Sequence, residues 1–323
     1  MYAEIAGFFS GIPFFQTPLF GIIALVIVGS SWCGIGLVMG DAPKKGVEPS
    51  LVQLLGAMVS LSAGGIIMYL TSCQSTASFK VTLLTCLSLF VGTAVNFFMM
   101  QLLSNTMQKG PNGIIWSITQ SSFVLPFLTG VLFFNVAFTF TRGIGIVSIL
   151  LALFLFGFAK TNTCSGEKKN IWKYQAFLCF IMAGITQNLT VLPSYFPEAR
   201  EVPGILRSIA SSSGSLTMAI LYNLFRMTPQ YREKLRSSFR KPVLWLYVGV
   251  LQFFGLLFAY TLHYPGMDVL AKNQMGAICY PLLIGSCIAS FALAAKWLLK
   301  ERFSLLQILA LIFCLGGLIL ICL

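Results

Sequence analysis

Charge is what this sequence has least of. Only 9% of its 323 residues are Asp, Glu, Lys or Arg, against about 25% in an ordinary soluble domain. With 57% hydrophobic residues, a soluble chain would have too little polar surface to face water, so a bilayer is the solvent that fits. Histidine occurs once, at His263, and the nine cysteines show no Cys-x-x-Cys or Cys/His ligand spacing. They read as small polarizable packing residues, and no metal or other cofactor is expected. The nine acidic residues form no cluster for acid/base work, and no phosphate-binding loop is present, which argues against an enzyme. The first seventeen residues hold no Lys or Arg, so the basic start of a signal peptide is missing. Phe8, Phe9, Phe14 and Phe15 instead suggest an interfacial lead-in over 1–17.

Long apolar runs are what the chain does have. Ten lie at approximately 18–39, 51–71, 81–104, 112–134, 143–159, 172–192, 204–226, 243–265, 274–296 and 303–322. At a rise of 1.5 Å per residue, about 20 residues cross a hydrocarbon core of roughly 30 Å. Backbone polar groups in lipid must be satisfied within their own segment, so the runs are expected to be helices. The expected fold is an all-α, multi-pass integral membrane protein of ten transmembrane helices. The longest connections, 160–171, 193–203 and 227–242, are too short to fold alone. Of the 21 Lys and Arg residues, only Lys80, Arg142, Arg200, Arg207 and Lys272 fall in even-numbered connections; the other sixteen fall in odd-numbered ones. The positive-inside rule then makes the odd connections cytoplasmic and puts both termini outside, in a cell (plasma) membrane. Anionic headgroups account for the net charge of +12, so membrane lipids are the expected partner and nucleic acid is not.

The chain also repeats itself. Residues 108–160 lie over 271–323 at an offset of 163, with Lys109 on Lys272, Gly113 on Gly276, Phe140 on Phe303, Thr141 on Ser304 and Ile149 on Ile312. This divides it into five-helix units at 18–160 and 171–323. A unit with an odd number of helices, repeated in tandem, is inverted the second time. Inverted repeats recur in secondary transporters, with the site near the midplane between the halves.

The segment 271–320 runs through a small-residue turn, a proline-bearing helix, the Glu301-Arg302 turn and a Leu/Gly-rich closing helix. The same hairpin recurs at 108–158 with Thr141-Arg142 at the turn, and the first helix, LVIVGSSWCGIG, carries a small-Trp-small pattern at Gly29 to Gly34. In these features the chain resembles the drug/metabolite transporter superfamily, in particular its ten-helix EamA-like permeases. The resemblance implies a permease working by alternating access. It also implies cytosolic termini, opposite to the charge count.

Polar side chains at membrane depth are costly and so are candidates for function. The uncharged set is Trp32, Asn96, Gln120, Gln187, Asn188, Gln252 and Tyr280. It offers donors, acceptors and aromatic faces without fixed charge, which suits a small neutral or zwitterionic solute. Singly, each serves as well for interhelical hydrogen bonding. Trp32 and the Gln187–Asn188 pair hold similar places in the first helix of each half. His263, Asp268 and Lys272 are candidates for gating or coupling, the last two spaced to pair on a helical turn. Pro126 and Pro281 are hinge candidates, expected to interrupt their helices. With no carboxylate at depth, facilitated diffusion or exchange is favoured over proton symport. The alternative is a membrane-embedded enzyme acting on a lipid or isoprenoid substrate. Ten helices suffice to enclose a pathway in a monomer.

Overall fold

The computed structural model describes residues 13–72, 74–134, 139–158, 171–252, 262–273, 275, 278–298 and 303–322. Among these, every regular element is helical. After a 3-10 turn at Pro13–Gln16 come α1 (Pro18–Asp41), α2 (Pro49–Thr71), α3 (Phe79–Met107), α4 (Asn112–Gln120), α5 (Val124–Phe134) and α6 (Phe140–Phe158). Then follow α7 (Ile171–Val191), α8 (Gly204–Phe225), α9 (Pro229–Phe239), α10 (Pro242–Gln252), α11 (Tyr264–Lys272), α12 (Cys279–Trp297) and α13 (Leu305–Cys322).

Local chemistry sets the helix starts. Proline opens α1, α2, α9 and α10, where its missing N–H breaks no intrahelical bond. Thr17, Ser78 and Thr228 cap α1, α3 and α9 by accepting from the backbone N–H groups of Phe20, Val81 and Tyr231. Ser72, left-handed at φ 47°, closes α2.

Where it is described, each expected apolar run falls almost wholly on helix, with three differences in detail. The fourth run is two helices, α4 and α5, joined by a 3-10 turn at Ser121–Phe123. In the eighth, residues 253–261 lie outside the described residues; on either side are α10 and, after a π turn at Leu262–His263, the start of α11. The ninth starts as α-helix only at Cys279. Among the described residues, five stretches are long and apolar enough to cross a membrane: α1, α2, α3, α4 through α5, and α12. Phe140–Ala152, α10 and Leu305–Leu320 are shorter apolar helices. α7 and α8 fall outside that set because polar residues such as Lys173 and Gln187, or Arg207 and Ser211, interrupt them.

Packing runs between the two halves of the chain. α6 packs on α13, α1 on α12 and α11, and α7 on α3, α4 and α5; α8 packs on α2 and α3, α2 on α10, and α4 on α12. Glycines let backbones touch, as small residues do between helices in lipid. A Cβ on Gly29 would lie 2.1 Å from the Leu283 carbonyl oxygen, and one on Gly214 would lie 2.2 Å from that of Phe90. Gly40 abuts Asn112 and Met107, Gly46 abuts Lys241, and Gly110 abuts Trp172. The odd-numbered connections at these residues therefore share one end of the bundle. At the opposite end Phe134 stacks on Tyr195 with ring centroids 4.1 Å apart.

Candidate binding site at mid-depth

With one end of the bundle fixed, depth follows from the rise of the helix. Trp32 lies nine residues from Asp41, Asn96 eleven from Met107, Gln120 eight from Asn112 and Gln252 ten from Pro242. At 1.5 Å per residue, all four sit about 12–17 Å in from the odd-connection end, near the middle of a roughly 30 Å core.

All four also lie on buried stripes. Trp32 is flanked at seven-residue intervals by Leu25 and Met39, and Asn96 by Leu89 and Leu103, all buried. Gln252 follows buried Val248 and Leu244. Gln120 is the half-buried exception in a run, 112–124, that is otherwise buried. It stands where α4 tightens into the 3-10 turn. Pro126, in the first turn of α5, cannot donate to the Ser122 carbonyl, which accounts for the break falling there.

Hydrogen bonding separates the four. Gln252 accepts from Ser60 Oγ on α2, so it ties two helices together. Trp32 meets His263 edge-on, with ring centroids 5.5 Å apart. His263, expected near the end of its helix, thus lies at the π turn beside the interior aromatic. Asn96 and Gln120 bond to no other described residue. Their amides are free to meet a polar solute.

The structure does not bring the remaining candidates to this level. Gln187 lies sixteen residues from Ile171 and Tyr280 seventeen from Trp297, so both sit about 24–26 Å from the same end. Trp32 and Gln187 share a local feature: each follows a close-packed glycine by three residues, Gly29 against Leu283 and Gly184 against Leu125. But α1 ends where α7 begins, so equivalent places fall at different depths. Asn188 donates to the Gly184 carbonyl at 2.9 Å and is satisfied within its own helix. Pro281 occupies the first turn of α12, so it does not interrupt that helix as expected. Asp268 and Lys272 fall on α11, with side chains outside the described residues.

Sequence reasoning passed over other polar groups. Gln53 Nε2, Gln101 Nε2, Ser122 Oγ and Gln187 Oε1 are buried without a hydrogen-bond partner among the described residues. Such atoms are rare and call for an explanation. Gln53 and Gln101 carried the same signal as Gln120, a lone amide in an apolar run. Arg207, half-buried in the first turn of α8, donates to the Ala199 carbonyl at 2.5 Å. A shallow, solvent-open pocket lies near the odd-connection end between Gly113, Ser117, Ala292, Phe303, Gln307 and Leu311. It holds none of the expected site residues.

No family model and no curated protein matches this chain. Solved structures do match it, in thirteen chains. One of them, described only as "Crystal structure of protein", aligns over 94% of this chain and 94% of its own, with a TM-score of 0.60 and 14% identity. The likeness is one of fold. It carries no information on activity, which must come from the site.

Proposed function

We propose that this protein is a secondary transporter of a small polar, uncharged or zwitterionic metabolite, working by alternating access in the plasma membrane. The observation that carries this reading is the mid-depth polar set: Trp32, Asn96, Gln120 and Gln252 come from four helices, lie on buried stripes at one level, and include two unbonded amides. An uncharged site of this kind recognises a solute by hydrogen bonds and aromatic contact and does not depend on charge.

We further infer ten transmembrane spans in two inverted five-helix repeats, of the kind found in the drug/metabolite transporter superfamily. The helix pairings support this. With the ten spans numbered in order, first with ninth corresponds to sixth with fourth. Third with seventh corresponds in the same way to eighth with second, and third with sixth to eighth with first. Second with seventh, fourth with ninth and fifth with tenth each correspond to themselves. Exchanging the halves therefore maps the principal pairings onto one another, as a two-fold relation between repeats requires.

The test is ligand-induced stabilisation of the purified protein across amino acids, sugars, nucleosides and cationic drugs. A solute that binds the folded state raises the melting temperature by mass action. The expected result is a shift from one uncharged or zwitterionic class, reduced at least tenfold in apparent affinity by Gln120→Ala or Trp32→Ala. A hit whose affinity both variants leave intact would remove the mid-depth set from the site.

A further inference from the structure

The linker between α8 and α10 is an ordered helix with two unlike faces. One face of α9 is fixed to the bundle. Tyr231 and Ser238, seven residues apart, are buried, and Lys234 between them reaches Glu48 Oε2 at 2.5 Å. Ser238 Oγ accepts from the Glu48 backbone N–H at 3.1 Å and donates to the Lys234 carbonyl at 2.8 Å. So held, the helix cannot roll about its axis.

The other face carries Arg232, Arg236 and Arg240 at four-residue intervals, all exposed and none in an ion pair with a described residue. Phe239 shares that flank. Its ring meets Trp245 of α10 edge-on at 5.3 Å, and both are 49% exposed. Trp245 neighbours exposed Leu246 on an apolar helix, so this flank looks outward to lipid. The arginines are thereby held beside an exposed aromatic pair, in the arrangement of residues at a membrane–water boundary.

We propose that this face of α9 is a binding platform for anionic phospholipid headgroups. Guanidinium groups take phosphate oxygens in bidentate pairs, and Phe239 with Trp245 gives the adjoining acyl chain an apolar wall. A phosphodiester lipid satisfies both features, whereas a free phosphate ion satisfies only the first. The proposal does not depend on the transport reading.

The full-length protein in phosphatidylcholine nanodiscs would be compared with the same protein in nanodiscs containing phosphatidylglycerol, following the melting temperature and the lipid retained by native mass spectrometry. Phosphatidylglycerol is expected to raise the melting temperature and to be retained, while inorganic phosphate does neither. Each Arg→Gln change among Arg232, Arg236 and Arg240 is expected to weaken retention about fivefold, from the electrostatic attraction of one basic residue at such a surface. Phe239→Ser should weaken retention as well. The three arginines are exposed, so melting of the Gln variants in phosphatidylcholine should stay that of the parent. Undiminished retention of phosphatidylglycerol in the triple Gln variant would overturn the proposal. So would a thermal shift that inorganic phosphate reproduces.

Discussion

The two ends of this bundle are closed in different ways. At the odd-connection end, Ser50 Oγ and Tyr231 Oη both donate to Asn223 Oδ1, at 2.9 and 2.8 Å, joining α2, α8 and α9 in a buried triangle. Around it lie the Glu48–Lys234 pair, Tyr247 donating to Asp41 Oδ2 at 2.5 Å, and Lys241 donating to the Lys45 and Gly46 carbonyls. At the even-connection end the described contacts include Phe134 against the Tyr195 and Phe196 rings, Arg207 donating to the Ala199 carbonyl, and a 3.5 Å bond from Thr76 Oγ1 to Glu201 Oε2, with Glu198, Glu201 and Phe196 exposed. A buried, satisfied polar network separates only at the cost of all its hydrogen bonds together. A stack and a long exposed hydrogen bond separate cheaply. On the transport reading proposed above, the comparison favours the even end as the one that opens first.

The largest test of that asymmetry is Asn223→Ala. It removes the acceptor that two buried hydroxyls share; they still face each other at 2.8 Å, but one donor is stranded, at a cost of about 1–3 kcal/mol. Equilibrium or thermal unfolding should show that loss, whereas Glu201→Ala at the opposite end stays within about 0.5 kcal/mol of the parent. Equal losses at the two ends would erase the contrast.

Lys234→Ala comes next. It leaves Glu48, whose side chain is only 6% exposed, without its ion-pair partner. Because Lys234 is itself 57% exposed, the loss is expected near 1 kcal/mol, well below that for a fully buried pair. A double change with Glu48→Gln should recover part of it, and additive losses would show that the two do not couple.

A pH profile sharpens the same region. Burial pushes the Tyr231 phenol up to about 12 from its usual 10. A group whose pKa is raised on folding stabilises fully below its unfolded pKa and loses that contribution as pH rises through the folded value. Stability should be level in this respect below pH 10 and fall between about pH 10 and 12. Tyr231→Phe should reduce that fall and cost about 1 kcal/mol at neutral pH. An unchanged alkaline limb in the variant would put the titrating group elsewhere.

How far the sequence disclosed this architecture depends on the range of the forces involved. Helix positions were legible because the length of an apolar run is local information. The break at Ser121–Phe123 was half legible through Pro126, while the π turn before Tyr264 had no comparable mark. Gln120 and Asn96 were visible as amides in apolar runs, but their common depth with Trp32 required knowing which helix ends meet. Trp32 and Gln187 hold similar places along their helices, but α1 and α7 run in opposite directions, so such places separate in depth. The odd-end network was hidden altogether. Ser50 and Asn223 are 173 residues apart in sequence, and Glu48 and Tyr231 look like ordinary residues at the edge of a connection until the fold brings them together.

The smallest expected effect concerns dynamics more than stability. If the even end is the looser one, backbone amides of 192–203 should exchange with solvent faster than those of 229–239, although both segments are short helical connections of similar length. Exchange rates reflect the free energy of local opening, and α9 opens only when its bonds to Glu48, Ser50 and Asn223 break. Tyr195→Ala should speed exchange in 192–203 several-fold, since an aromatic pair contributes about 0.5–1.5 kcal/mol beyond its area. It should leave α9 unaltered. Exchange that is equally slow in both segments would mean that the Phe134–Tyr195 stack closes its end as firmly as the polar network closes the other, and the direction of first opening would have to be sought elsewhere.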